Sequence, residues 1–218
     1  AMNYMAHGCP VVLINFDAQL ALEVIQREKV SAFLGITTMI NWMMAVDGFE
    51  NYDLSSLRNF QYGGGPMPRT VVEAALKAFP CTMIQGYGQT EGMTMTFLSQ
   101  EDHQRAVQGH HSERLGSCGR AGFITEAQVV DPDGQPVPRD GKTPGEIVIR
   151  SEANMVGYWR QPELTAETLR DGWMWTGDIA VWDEEGYLFI VDRAKDMIIS
   201  GGENIFSTQV EAAIHQHP

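Results

Sequence analysis

Over roughly the first hundred residues, short apolar runs of strand character alternate with amphipathic stretches of helical period, which restricts the fold to a parallel sheet with helical crossovers. Val11, Val12, Leu13 and Ile14 read as a buried strand. Asp17 is placed to cap a helix running to Glu28, with Leu20, Val24 and Ile25 on one face. A second strand is expected at 32–34 and a second helix over 38–46. A third strand, 60–62, ends in Gly63-Gly64-Gly65-Pro66. Pro68 suits the first turn of the next helix, whose Val72, Leu76 and Phe79 face one way before Pro80 stops it. Residues 82–85 form the next strand.

Beyond about residue 100 the texture changes. Short β-type runs at 127–130, 146–149 and 187–191 are separated by turn signals, of which Asp133-Gly134, Asp140-Gly141 and Glu185-Gly186 are the clearest. A small, mostly antiparallel sheet or a distorted barrel is expected there. Past Asp192 come an apolar run at 197–199, a Gly201-Gly202 turn, and a helix capped by Ser207 with Val210, Ala213 and Ile214 on one side. The expected division is an α/β part at 1–100, a β-rich part at 101–192, and the beginning of a further domain at 193–218. The abrupt start and end read as cuts within a longer protein.

A formal net charge of -13 excludes a polyanionic partner such as nucleic acid, which requires a basic face. The cysteines, Cys9, Cys81 and Cys118, lie far apart and form no C-x-x-C pair, which implies a reducing compartment and a cytoplasmic location. No apolar run approaches the ~20 residues that span a bilayer, and the N-terminus has no signal-peptide pattern.

Three segments are suited to chemistry. Gly86-Tyr87-Gly88-Gln89-Thr90-Glu91-Gly92 follows a strand directly, where ligands of open α/β sheets collect. Glycines there admit a ligand to the backbone, a hydroxyl can bond phosphate, and a carboxylate can hold magnesium. Within Trp175-Thr176-Gly177-Asp178, the carboxylate can accept from a ribose diol or simply cap a turn. Asp192-Arg193-Ala194-Lys195-Asp196, with Ser200-Gly201-Gly202-Glu203-Asn204-Ile205 after it, reads as a hinge or as a solvated connector.

Taken in order, Tyr62-Gly63-Gly64-Gly65-Pro66, Gly86-Tyr87-Gly88-Gln89-Thr90-Glu91, Gly145-Glu146-Ile147, Trp175-Thr176-Gly177-Asp178 and Asp192-Arg193-Ala194-Lys195-Asp196 resemble the core signatures of a known superfamily. It is that of the adenylate-forming enzymes: acyl-CoA synthetases, adenylation domains and luciferases, with fatty-acyl and related CoA ligases the most similar. Gly116-Ser117-Cys118-Gly119-Arg120 fits a linking motif there. The resemblance implies that ATP or AMP, Mg2+ and coenzyme A are the cofactors and co-substrates, with a carboxylic acid as substrate.

It also implies roles. Tyr87 stacks on adenine, Gly63, Gly64 and Gly65 pass along the ring, and Asp178, assisted by Arg193, binds the ribose. Catalytic roles fall to Thr90 at the α-phosphate, Glu91 at magnesium and Lys195 at the hinge. Gly201, Gly202 and Glu203 belong to the loop that enters the site for thioester formation, and Gly88, Gln89, Thr94 and Met95 line the acyl pocket. Tyr87, Thr90, Glu91 and Asp178 should converge on one cleft. The superfamily's Ser/Thr/Gly-rich phosphate loop and its C-terminal lysine have no match in this sequence. The intact parent is therefore expected to be an AMP-forming acid–thiol ligase, and the 218-residue chain alone to be inactive. A carrier-loading adenylation domain and a non-catalytic nucleotide-binding module are the alternatives.

Overall fold

A computed structural model describes residues 2–65, 68–196, 198–200 and 203–205. In chain order the elements are α1 (Met2–Ala6), α2 (Ala18–Glu28), β1 (Ala32–Gly35), α3 (Thr37–Met44), β2 (Asn59–Gly63), α4 (Arg69–Ala78), β3 (Thr82–Gln89), β4 (Met93–Leu98) and α5 (Gln100–Val107). There follow β5 (Arg120–Ala121), β6 (Thr125–Val130), β7 (Gly145–Ser151), α6 (Pro162–Thr168), β8 (Leu169–Arg170), β9 (Trp173–Trp182), β10 (Leu188–Arg193), β11 (Ile198–Ser200) and β12 (Glu203–Ile205).

The first sheet has the order β1-β2-β3-β4-β5. β1, β2 and β3 run parallel, as the helical crossovers require, while β4 and β5 add on antiparallel. The second sheet is antiparallel, β10-β9-β7-β6 with β8 on β9, so the β-rich part takes the sheet form. β11 and β12 form a separate antiparallel pair.

Local sequence explains most of these boundaries. Asp17 caps α2 by accepting from the Leu20 N–H at 2.8 Å, and α2 buries Ala21, Leu22, Val24 and Ile25. Pro68 occupies the N-cap position of α4 rather than its first turn. Ser99 and Asp102 make a reciprocal capping box on α5.

Three expectations need correction. Residues 11–14 form no strand: no described strand pairs with them, and Leu13 is 82% exposed. An apolar run becomes a strand only when a partner satisfies its backbone. β3 does not end at Gln85 but continues to Gln89, because antiparallel β4 goes on pairing after parallel β2 stops opposite Gly86. The glycine-rich segment is thus mostly strand, with a register shift between Tyr87 and Gly88. Trp175-Thr176-Gly177-Asp178 lies inside β9, the longest strand. The helix expected after Ser207 lies outside the described residues.

Two hydrophobic cores follow. One packs Leu22, Ile25, Ile40, Leu57, Phe60 and Met83 under the first sheet, with Phe60 making edge contacts to Phe33 and Phe79 at 5.0 and 4.9 Å. The other gathers Met95, Val129, Ile147, Ile149, Met174 and Trp182. A strap at 117–119 crosses between them. The Cys118 N–H donates to the Leu188 carbonyl at 2.8 Å, the Leu188 N–H donates to Gly119 at 3.0 Å, and the buried Thr96 hydroxyl donates to the Cys118 carbonyl at 2.5 Å. These bonds fix β4, the neighbour of β3, against β10.

Candidate functional site

A cavity of about 510 Å³ opens where the carboxyl end of β3, the turn after β2, the strap, the middle of β9 and the end of β10 meet. Gly64, Gly65, Gln85, Tyr87, Asp178 and Arg193 are among its walls. Another cavity of about 560 Å³, between α4 and α5, contains none of the nucleotide-, metal- or acyl-site residues expected from the sequence.

Asp178 is the centre of the polar wall. β9 and β10 pair so that Arg193 stands directly opposite Asp178, and the guanidinium Nε reaches Oδ1 at 3.3 Å. From the first sheet the Tyr87 hydroxyl donates to Oδ2 at 2.6 Å. The approach to Asp178 is shaped by Gly177, whose φ of +74° suits glycine, at a point where the β7–β9 register shifts. The Gly177 N–H donates to Glu146 at 2.9 Å, the Thr176 hydroxyl donates to the Ile147 carbonyl at 2.8 Å, and the Asp178 N–H donates back to Thr176 at 3.1 Å. Burial, and then the Asp178 charge, push the Tyr87 phenol well above its ordinary value, so it remains a protonated donor. Burial likewise raises the Glu146 carboxyl.

Gln85 was not singled out from the sequence. It is 8% exposed and lines the cavity, and its Oε1 has no hydrogen-bond partner among the described residues. An unpaired buried carbonyl oxygen costs free energy unless something donates to it. A ligand amine in the cavity would do so. The usable signal was strand alternation: Gln85 and Tyr87 share one face of β3, two residues apart.

The remaining residues divide by position. Gly64 and Gly65 present backbone to the cavity, whereas a Cβ on Gly63 would sit 2.1 Å from the Gly86 carbonyl oxygen, so its smallness serves the β2–β3 approach. Gly88 and Gln89 line the cavity, and the Gln89 amide donates to the Thr176 carbonyl at 3.2 Å. Thr90 is exposed just beyond β3, and Glu91 follows it; neither lines the cavity that holds Tyr87 and Asp178. Thr94 is exposed opposite Gly88, and Met95 is fully buried in the second core. Lys195 is exposed just past β10. Gly201 and Gly202 lie outside the described residues, and Glu203 begins β12.

Among the described residues no group of three or more His, Cys, Asp or Glu gathers to hold a metal. Glu91 alone fits magnesium in the form that accompanies nucleotide phosphates, where one or two carboxylates suffice. Its Oε1 accepts from the Tyr158 hydroxyl at 2.8 Å. Among the described residues no helix is long and apolar enough to cross a membrane.

Residues 1–159 match the family described as AMP-binding enzyme. A feruloyl-CoA synthase from Amycolatopsis sp is 39% identical over 211 residues, 97% of this chain and 41% of that protein. Among solved structures, the amide bond synthetase McbA from Marinactinospora thermotolerans superposes with a TM-score of 0.83 at 34% identity, over 94% of this chain and 40% of that one. O-succinylbenzoate coenzyme A synthetase (MenE) from Bacillus subtilis, in complex with ATP and magnesium ion, gives 0.83 at 30% identity, over 100% of this chain and 43% of that one. The chain spans about two fifths of the length of these relatives, which are acyl-CoA and related ligases. By the match over residues 1–159 and these identities, the chain belongs to the AMP-binding enzyme family.

Proposed function

We propose that this chain carries the nucleoside-binding part of an AMP-forming acid–thiol ligase, which activates a carboxylic acid as acyl-AMP and passes the acyl group to coenzyme A. The observation that supports it most is the Tyr87–Asp178–Arg193 arrangement in the cavity wall, which joins an aromatic face to a carboxylate contacted on both oxygens. Asp178 accepts from the ribose diol, and Arg193 pairs with its other side. Tyr87 offers its ring to the base, and Gln85 Oε1 accepts from the exocyclic amine.

Thr90 and Glu91 serve the phosphate end, with Glu91 as the carboxylate for magnesium. The bound ion would neutralise charge at the transferring phosphoryl group. Lys195 serves as the hinge between the two half-reactions, and Gly201, Gly202 and Glu203 serve thioester formation. Gly88, Gln89, Thr94 and Met95 form the chain's share of the acyl-binding region. The three cysteines, all free, support a reducing, cytoplasmic setting.

Calorimetric titration of the 218-residue chain with AMP tests the reading, beside pyrophosphate release with a panel of carboxylic acids. Expected are weak AMP binding, lost in Asp178→Ala, and no acyl-adenylate turnover by the chain alone. AMP affinity indifferent to Asp178→Ala would refute the assignment.

A further inference from the structure

The segment after β7 is fastened to Glu91 twice. The Met155 N–H donates to the Glu91 carbonyl at 2.6 Å, and the Tyr158 hydroxyl donates to Glu91 Oε1 at 2.8 Å. The backbone that presents Tyr158 is itself anchored: its N–H donates to the Thr165 hydroxyl oxygen at 2.9 Å, and that hydroxyl donates to the Gln161 carbonyl at 2.8 Å. Gly157 makes this approach possible. Its φ is +149°, and a Cβ there would stand 2.8 Å from Thr165 Cγ2.

We infer that Tyr158 is a positioning residue for Glu91, holding Oε1 so that Oε2 is left for the magnesium ion that accompanies ATP. The inference rests on the functional reading above and adds to it the residue that orients its metal-binding carboxylate. A carboxylate on a free side chain must be ordered before it can bind a metal, and a hydrogen bond from a fixed phenol removes that cost beforehand. No described residue other than Tyr158 bonds the Glu91 carboxylate. The 155–165 segment therefore acts as a bracket: α6 holds Thr165, Thr165 holds the Tyr158 backbone, and Tyr158 holds Glu91.

The test is calorimetry on the 218-residue chain with AMP, with ATP, and with ATP plus Mg2+, for wild type, Tyr158→Phe and Thr165→Val. Circular dichroism checks each fold. AMP affinity should be unchanged in Tyr158→Phe, while the gain in ATP affinity on adding Mg2+ should shrink by about tenfold, the size expected for losing a hydrogen bond to a charged group. Thr165→Val should give the same selective loss to a smaller extent, and it carries the test if Tyr158→Phe does not fold. An undiminished Mg2+ gain in a folded variant would overturn the positioning role while leaving the functional reading intact. A wild-type chain that binds neither nucleotide would overturn both.

Discussion

The hydroxyl of Tyr87, near the far end of β3, donates to Oδ2 of Asp178 on β9 across 2.6 Å, joining two sheets that share no strand. The two residues are 91 positions apart, and the 117–119 strap and the Gln89–Thr176 bond hold the two sheets against each other around them. It gives one oxygen a donor on a carboxylate whose side chain is 11% exposed and whose other oxygen faces Arg193.

Tyr87→Phe keeps the ring and removes only that bond. A hydrogen bond to a charged, mostly buried group contributes about 1.5–3 kcal/mol, so the variant should unfold at lower urea concentration by that margin. AMP binding should weaken by less than tenfold, since the stacking face survives. Tyr87→Ala should abolish it. Equal AMP affinity in Tyr87→Ala and wild type would separate Tyr87 from the nucleotide altogether.

The buried His103 provides a pH signature. Its Nδ1–H donates to the Ser99 carbonyl at 2.6 Å, which leaves Nε2 to accept from the Tyr62 hydroxyl at 2.8 Å, so the ring is neutral in the folded chain. Burial lowers its pKa from the ordinary 6.5, while the Ser99 carbonyl and Asp102 oppose that shift less strongly. The unfolded chain therefore takes up a proton that the folded one refuses. Stability from this group is complete above pH 6.5 and is lost as pH falls from there through the lowered value. Melting temperature should fall over that interval, and His103→Gln should flatten the fall. Asp102 acts in a separate window. Burial raises its carboxyl, but bonds from Tyr187 and Ser99 hold it below the usual 3.8, so its contribution disappears only at lower pH.

Thiol chemistry should separate the cysteines. Burial pushes Cys118 up to about 12 and Cys81 up to about 11, whereas Cys9 is exposed. The thiolate is the nucleophile, so brief alkylation of the folded chain at neutral pH should label Cys9 and spare Cys118. Peptide mass spectrometry reads the result directly. Labelling of Cys118 at the rate of Cys9 would mean that the strap opens in solution.

How much of this was legible depended on how local each signal was. The α2 cap at Asp17 and the strand–helix alternation rest on near neighbours, and both were readable. Residues 11–14 had the composition of a strand, but pairing is a property of partners, and no described strand provides one. β4 and β9 escaped notice because Thr, Gly and Asp interrupt their apolar residues, although both are held in place by sheet neighbours. The motif order indicated Tyr87 and Asp178 without their contact. Gln85 and Tyr158 were missed because their importance lies in what they face: an unpartnered oxygen in a cavity and a bond across 67 positions.

Gly63 and Gly65, two positions apart, should respond in opposite ways to the same substitution. A Cβ on Gly63 would overlap the Gly86 carbonyl at 2.1 Å, and both partners are backbone of paired strands, so neither can swing aside. Forcing atoms into a packed site costs about 1–3 kcal/mol or more, so Gly63→Ala should lower the melting temperature by several degrees. Gly65 lines the cavity, and a Cβ there meets nothing within 4 Å. Gly65→Ala should leave the fold as stable as before, and Gly65→Val should do the same while weakening AMP binding, because the added methyls take up cavity space. Thermal melts and AMP titrations on the three variants distinguish the two roles. If Gly65→Val binds AMP as wild type does, the nucleotide does not pass along this turn, and the tri-glycine would serve only the approach of β2 to β3.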